Sequence, residues 1–369
     1  MIYDVAIIGA GPAGSTLARV LKEKRPETKI LLIDGQSENQ SKVCGGLIST
    51  DAQKLLAEFN LALPKSVLED PQIFAVETID LGAKILTRYA RNYINTDRLL
   101  FDKWLVSLIG DGVDIIDGRC KKIEKENGNF KIHADTQGGA LTFFANALVG
   151  ADGASSLVRK TFFKEKKIFK YVSIQQWFEI EDERLPYYSC IFDKKTSDSC
   201  SWTIRKGKYF IFGGAFDRDR CRVCFEEQKR RLEEYLGVDF GTPVKTEACQ
   251  VCSPRRRGSL VCGKENVYLI GEAAGFISAS SFEGISSAIL SGKLLADAMS
   301  DNLKNEKRLL KRYKAKSRKL RRKILLKIPK MRILTSPFLR KIIMKSGFSS
   351  IKDYTNKAVF DKERENAKP

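Results

Sequence analysis

The chain opens with an order of residues that few folds accommodate. An apolar run, Val5 to Ile8, passes directly into Gly9-x-Gly11-x-x-Gly14, with Pro12 and Ala13 between the last two glycines. A helical stretch follows from Ser15 to Lys24, and a second apolar run, Ile30 to Ile33, ends on Asp34, twenty residues after Gly14. Strand, tight turn, helix, strand and acid in this order make a dinucleotide-binding βαβ unit. Gly9 permits the turn, Gly11 lets backbone approach a pyrophosphate, and Gly14 lets the helix pack closely on the strand. The helix N-terminus presents free N–H groups and a favourable dipole to the phosphates. Asp34 is placed to accept from a ribose hydroxyl.

At 369 residues, 43% of them hydrophobic, the chain is long enough for two domains or one large one with insertions. It has no run of 18 apolar residues, so no bilayer span is expected, and no signal peptide is expected because Met1 enters the first strand almost at once. The expected location is therefore cytoplasmic. Nine cysteines in such a chain point to thiols or metal ligands rather than structural disulfides. The single histidine, His133, lies in a strand-like stretch, which argues against histidine general-base catalysis.

Two further glycine-bearing turns follow strand-like segments. One is Gly150-Ala-Asp152-Gly153-Ala-Ser-Ser156-Leu-Val-Arg159; the other is Gly271-Glu272-Ala-Ala-Gly275, followed by a helix opening at Gly284-Ile285. Between the first and second turns, Ile94-Asn-Thr-Asp-Arg98 opens another helix. Together with the first motif these segments resemble FAD-dependent oxidoreductases of the para-hydroxybenzoate hydroxylase and geranylgeranyl reductase group. The resemblance implies that the first motif holds the ADP pyrophosphate, with Asp34 on the adenosine ribose and Asp152 near the pyrophosphate. It implies that Gly271–Gly275 holds the ribityl chain and flavin, with Arg98 near the flavin. The third motif departs from the group's usual Gly-Asp: here it is Gly271-Glu272, a carboxylate one methylene longer.

The segment Lys42-Val-Cys44-Gly45-Gly46 resembles the Lys-x-Cys-Gly-Gly segment of geranylgeranyl reductases, which lies at the flavin face. Two glycines let backbone approach the ring. Lys42 would supply positive charge beside a reduced flavin, and Cys44 would donate a proton or line the site. Ser201-Trp202-Thr-Ile-Arg-Lys matches only part of the segment by which prenyl reductases line their lipid cavity; Trp202 is the residue retained. At Ser41-Lys-Val-Cys-Gly-Gly-Leu, Ile174-Gln-Gln-Trp-Phe, Tyr188-Ser-Cys-Ile-Phe-Asp and Gly271-Glu-Ala-Ala-Gly-Phe-Ile-Ser-Ala-Ser-Ser, and over Met1 to about Gly347, the chain is similar to the CbrA-type flavoproteins, a bacterial branch of the geranylgeranyl reductase family. The implied fold class is α/β: a Rossmann-type FAD-binding domain (1–70, 96–162 and 258–300) with an inserted antiparallel β-sheet substrate domain (71–95 and 163–257). A basic helical C-terminal region (301–357) and a disordered tail (358–369) complete it.

Two features stand beside the flavin signature. Cys221-x-x-Cys224 and Cys249-x-x-Cys252, 24 residues apart, have the pattern of a tetrahedral zinc site or an iron–sulfur cluster; ordinary unligated thiols are the alternative. From Leu303 to Lys345 there are 18 Lys and Arg and one acid, Glu306, which accounts for +17 of the whole chain's +20. Leu309, Tyr313, Leu320, Ile324 and Ile328 fall on one helical face, Pro329 is expected to interrupt, and Phe338, Leu339, Ile342 and Ile343 make a second, shorter apolar face. An anionic membrane surface, a helical cap on the flavin domain and, least favoured, a nucleic-acid patch all suit this pattern.

The reading that joins these features is an FAD-dependent oxidoreductase reducing carbon–carbon double bonds of an isoprenoid or other apolar lipid at the inner membrane face. NAD(P)H or a small redox protein would supply electrons. Lys42, Cys44 and Trp202 are the candidate catalytic residues, with Trp177, Phe192 and Phe212 as further slot candidates. A flavin-dependent aromatic monooxygenase or halogenase, and a non-enzymatic flavin-binding redox or docking protein, are the alternatives.

Overall fold

The computed structural model describes residues 1–35, 42–303 and 305–346. The tail expected over 358–369, and the end of the basic region, lie outside the described residues. The chain divides into two compact units. The first comprises Met1–Leu68, Thr96–Tyr171 and Cys249–Pro329; the second comprises Glu69–Asn95, Val172–Ala248 and the chain from Lys330.

The first unit is built on a sheet whose parallel strands run in the order Val113–Glu126, Ile30–Asp34, Ile2–Ile8, Gly139–Gly150 and Val267–Leu269. Strand Asn129–Thr136 joins the two long strands Val113–Glu126 and Gly139–Gly150 as antiparallel hairpins. The inner strands Ile2–Ile8 and Ile30–Asp34 read as apolar runs because both sheet faces are covered there. Val5, Ala6, Ile7, Leu31, Leu32, Leu148 and Val149 are fully buried. Register is set around the first strand, where Ile8 pairs with Ile33 on one side and Gly150 on the other. Gly150 in turn pairs with Leu269. The three glycine-bearing turns therefore leave adjacent strands at the same edge of the sheet, the carboxyl edge where doubly wound folds bind ligands.

The second unit carries most of an eight-stranded sheet, in which Phe169–Glu179, Tyr209–Phe216, Cys200–Lys206, Tyr188–Phe192, Ile73–Asp80 and Ile85–Asn95 follow in that order. Their pairings are antiparallel except that Tyr188–Phe192 runs parallel to Ile73–Asp80. Those two strands are far apart in sequence, so no hairpin dictates their direction. Helix Cys221–Leu236 covers this sheet, and Phe178, Phe210, Phe212, Phe216, Phe225 and Phe240 fill its core.

The basic region forms helices Glu306–Lys316, Arg318–Thr335 and Pro337–Ser346. Contrary to expectation, Pro329 does not end a helix; it sits inside the second. A proline deletes one backbone donor and crowds the preceding turn, but the helix continues past it to Thr335. The first apolar stripe is not a membrane face either. Leu309, Tyr313, Leu320 and Ile324 are buried within the first unit's core, and the Tyr313 hydroxyl donates to the Leu269 carbonyl at 3.0 Å. This stretch is the helical cap.

Candidate functional site

Helix Pro12–Lys24 begins with Gly11 as its N-cap and proline at its first position, with no side-chain hydrogen bond capping it. Its first-turn N–H groups are thus left for a ligand. The three glycines do different work. Gly9 has φ +103°, a left-handed conformation, and a Cβ there would lie 2.7 Å from the Ala151 carbonyl oxygen. A Cβ on Gly14 would lie 1.9 Å from the Gly9 carbonyl oxygen, so only glycine permits this helix–turn contact. A Cβ on Gly11 would meet nothing within 4 Å, which leaves room for a pyrophosphate against bare backbone. Asp34 stands half-buried at the end of its strand, one residue beyond Ile33, whose carbonyl accepts from the Gly9 N–H at 2.8 Å.

The second turn is held by capping. Asp152 accepts through Oδ2 from the N–H groups of Leu157 (2.6 Å) and Val158 (3.2 Å), and Ser156 accepts from the N–H of Arg159 at 2.9 Å. The other Asp152 oxygen, Oδ1, is buried without a hydrogen-bond partner, suited to accept from a cofactor hydroxyl. Burial pushes the Asp152 pKa up.

The third turn packs on the first. Gly271 has φ +55°, and a Cβ there would come within 3.0 Å of the Ala13 Cβ. Gly275 has φ +81° and closes the turn against the Ser259 carbonyl. Gly284 caps the helix that opens at Ile285 and runs to Asn302; its Gly292 lies so close to the first helix that a Cβ would sit 2.5 Å from the Ala13 carbonyl oxygen.

Arg159 was not assigned a role from the sequence, yet it fastens the second turn to the third. It is buried, and its guanidinium donates to the carbonyls of Ala273 (2.8 Å), Ser259 (2.9 Å) and Lys166 (2.7 Å). All its acceptors are distant in sequence or on irregular backbone, so no spacing announces it.

A cluster of charges and thiols lies beside these turns. Thr96 ties the Lys42–Gly46 loop to the helix that begins at Arg98, donating to the Gly46 carbonyl from both its hydroxyl (2.6 Å) and its N–H (3.2 Å). Gly46 N–H in turn donates to the Cys44 sulfur at 3.5 Å. Arg98 Nε donates to Asp102 at 3.0 Å, and both side chains are buried. Burial works against the Arg98 charge, but Asp102 and then the Cys44 sulfur outweigh it, so its pKa is raised. Lys42 pairs with Glu272, whose other oxygen accepts from the Cys252 N–H at 2.8 Å. Burial likewise opposes the Lys42 charge, but Glu272 and then the Cys249 sulfur more than offset it. The extra methylene of Glu272 is thus used to reach Lys42 and the Cys252 backbone.

The metal expectation is overturned. Among the described residues no three His, Cys, Asp or Glu side chains are placed to hold an ion. None of the nine cysteines is joined in a disulfide. Cys221 and Cys224 belong to a helix and pack on the second unit's core. Cys249 and Cys252 lie on strand Lys245–Ser253, where residues three apart face opposite sides. Their sulfurs approach separate carbonyls, Val43 at 3.7 Å and Ala154 at 3.9 Å.

In the second unit, Phe192 and Phe212 are buried, and the Phe212 ring packs 5.1 Å from Phe225. They are core, not slot. Trp177 is half-buried and donates to Glu247 at 2.9 Å. Trp202, also half-buried, is different: its indole Nε1 is buried and has no hydrogen-bond partner. His133 lies on the first unit's hairpin beside Thr142 and Glu124.

Comparison with known proteins agrees with this geometry. The family model described as pyridine nucleotide-disulphide oxidoreductase matches residues 3–178. The protein CbrA of Escherichia coli (strain CFT073) is 45% identical over 95% of this chain and 96% of its own length. A geranylgeranyl bacteriochlorophyll reductase-like protein from Thermoplasma acidophilum superposes with a TM-score of 0.80 at 19% identity, covering 98% of this chain and 95% of that one. HpxO of Klebsiella pneumoniae, solved with FAD and uric acid, gives 0.65 at 16% identity over 93% and 92%. With three turns gathered at one sheet edge and a full-length relative at 45% identity, the chain belongs to the CbrA family and has the fold of an FAD-dependent oxidoreductase.

Proposed function

We propose that this protein reduces a carbon–carbon double bond of an isoprenoid or related apolar lipid at a membrane surface, with FAD as its cofactor. The first, second and third turns would hold the group: Gly9, Gly11, Pro12, Ala13 and Gly14 at the pyrophosphate, Asp34 and Asp152 at its hydroxyls, and Gly271, Gly275, Gly284 and Ile285 toward the flavin. Bound FAD supplies hydride transfer to the alkene. The chain's own part is charge, placement and a proton.

The observation that carries the reading is the Lys42–Gly46 loop. It brings Lys42, Cys44 and Arg98 together, with Glu272 orienting Lys42. Two cations held charged at one site favour an anionic, reduced ring. Cys44, which accepts from the Gly46 N–H and lies beside Arg98, would be the proton donor. Trp202 is the candidate contact to substrate in the second unit. Electrons would come from NAD(P)H or a small redox protein.

The test is anaerobic. Dithionite-reduced holoprotein is mixed with prenyl lipids and the lipids are analysed by mass spectrometry. A gain of two hydrogens per double bond, lost in Cys44→Ala, supports the reading. In a parallel aerobic assay, oxygen uptake with NADPH oxidation on adding an aromatic compound would replace it with a monooxygenase, and stoichiometric flavin without any turnover in either assay would replace it with a docking role.

A further inference from the structure

With the first apolar stripe buried as a cap, the last described helix, Pro337–Ser346, becomes the notable surface of the second unit. Its inward face is not the apolar one. The buried positions are Arg340 and Met344, one turn apart. Arg340 donates from Nε to Asp80 at 2.7 Å and from Nη1 to the Leu334 carbonyl at 2.6 Å, and its guanidinium lies 5.0 Å from the centre of the Phe192 ring. Both partners of the Arg340–Asp80 pair are almost wholly inaccessible.

A helix turns about 100° per residue. Phe338 and Ile342 therefore project about half a turn from Arg340 and Met344, straight out from the unit. They are 71% and 50% exposed, and Leu339 beside them is 41% exposed. Lys341 and Lys345, both exposed, border the same face. In the preceding turn Ile333 is also exposed, with Lys330 and Arg332 around it. From Lys330 to Lys345 there are five cations and no acid.

A soluble helix pinned this firmly would ordinarily turn polar residues outward. Here an aromatic and three aliphatic side chains face out, in a setting of one charge sign. The geometry points to helix Pro337–Ser346 as the membrane-docking element: Phe338, Leu339 and Ile342 enter the acyl boundary of an anionic bilayer while Lys341 and Lys345 meet its headgroups. The buried Arg340–Asp80 pair fixes the helix to the body, so insertion docks the second unit rather than a loose tail. A protein partner would need acidic groups around an apolar socket; a bilayer supplies both by composition. This inference deepens the membrane part of the proposed function and rests on that part alone.

The experiment is co-sedimentation of the full chain with vesicles of phosphatidylcholine alone and with added phosphatidylglycerol, at low and high salt. Binding is expected only to anionic vesicles, weakened by salt. Phe338→Ser with Ile342→Ser should reduce it at least tenfold with unchanged flavin content and thermal midpoint, since both side chains are exposed. Lys341→Gln should reduce it about fivefold. Failure of the full chain to bind, or binding indifferent to Phe338 and Ile342, overturns the inference. So does loss of a dimer in the double variant, which would assign the face to a second copy, or binding that appears only after removing residues 347–369. No lipid is reduced in this assay, so its outcome is separate from that of the reductase reading.

Discussion

Replacing Arg159 by methionine tests whether the site is assembled by long-range contacts rather than by each turn alone. The guanidinium is buried and donates to three carbonyls, those of Ala273, Ser259 and Lys166, with no carboxylate hydrogen-bonded to it. A hydrogen bond from a charged donor contributes about 1.5–3 kcal/mol. The three share one side chain, so they do not add fully. Burial without a counter-ion, which holds the Arg159 pKa down, offsets part of the gain. A net loss of about 3 kcal/mol is expected, and for a unit of this size that lowers the melting midpoint by roughly 6–12 °C. Release of bound FAD during a thermal ramp, followed by its fluorescence, reads the first unit directly. Apparent FAD affinity should also fall, because the third turn loses its tie to the second. Arg159→Lys should recover little, since one ammonium cannot fork to three acceptors. A midpoint within about 2 °C of wild type, with unchanged FAD affinity, would refute the clamp.

Gly11→Ala and Gly14→Ala should separate binding from folding. The first has open space for its methyl and should fold normally yet lose FAD affinity by about tenfold or more, whereas the second collides with the Gly9 carbonyl and should fold poorly; fluorescence titration and thermal melts distinguish them. Arg340→Met leaves the Asp80 carboxylate buried and unpaired, a loss of about 3–5 kcal/mol, so trypsin should cut readily between Arg332 and Lys345; Arg340→Met with Asp80→Asn should restore most of the resistance. Burial pushes the thiols of Cys120 and Cys252 up to about 12 and that of Cys249 to about 11, from an ordinary 9.0. The folded state thus keeps protons that the unfolded chain releases, so stability is complete below pH 9.0 and declines as pH rises toward 11–12; urea unfolding at stepped alkaline pH should show it, and Cys120→Ser should lessen the slope.

What the sequence made legible, and what it did not, divides along a physical line. The glycine turns were readable because their requirement is local: Gly9 needs a left-handed backbone, and Gly14 must clear a carbonyl five residues behind it. The cysteine pairs misled because the same spacing means different things on different elements. Three residues apart is one face of the helix at Cys221 and opposite faces of the strand at Cys249. The basic helices carry the same lesson. Periodicity marks Leu309, Tyr313, Leu320 and Ile324 as one stripe but says nothing about what covers it, and a protein core and a bilayer select the same residues. The end of the region inverts the pattern, burying a cation and exposing an aromatic ring. No hydropathy rule predicts that arrangement, because it depends on Asp80, 260 residues earlier, waiting in the second unit's core for Arg340. Long-range polar contacts of this kind, Arg159 to the Ser259 and Ala273 carbonyls, Lys42 to Glu272 and Arg340 to Asp80, carry the information that patterning lacks. Each joins residues whose meeting is decided by topology, and each sits where a local rule is broken: a buried arginine without an acid, a carboxylate one methylene long, a helix turned inside out.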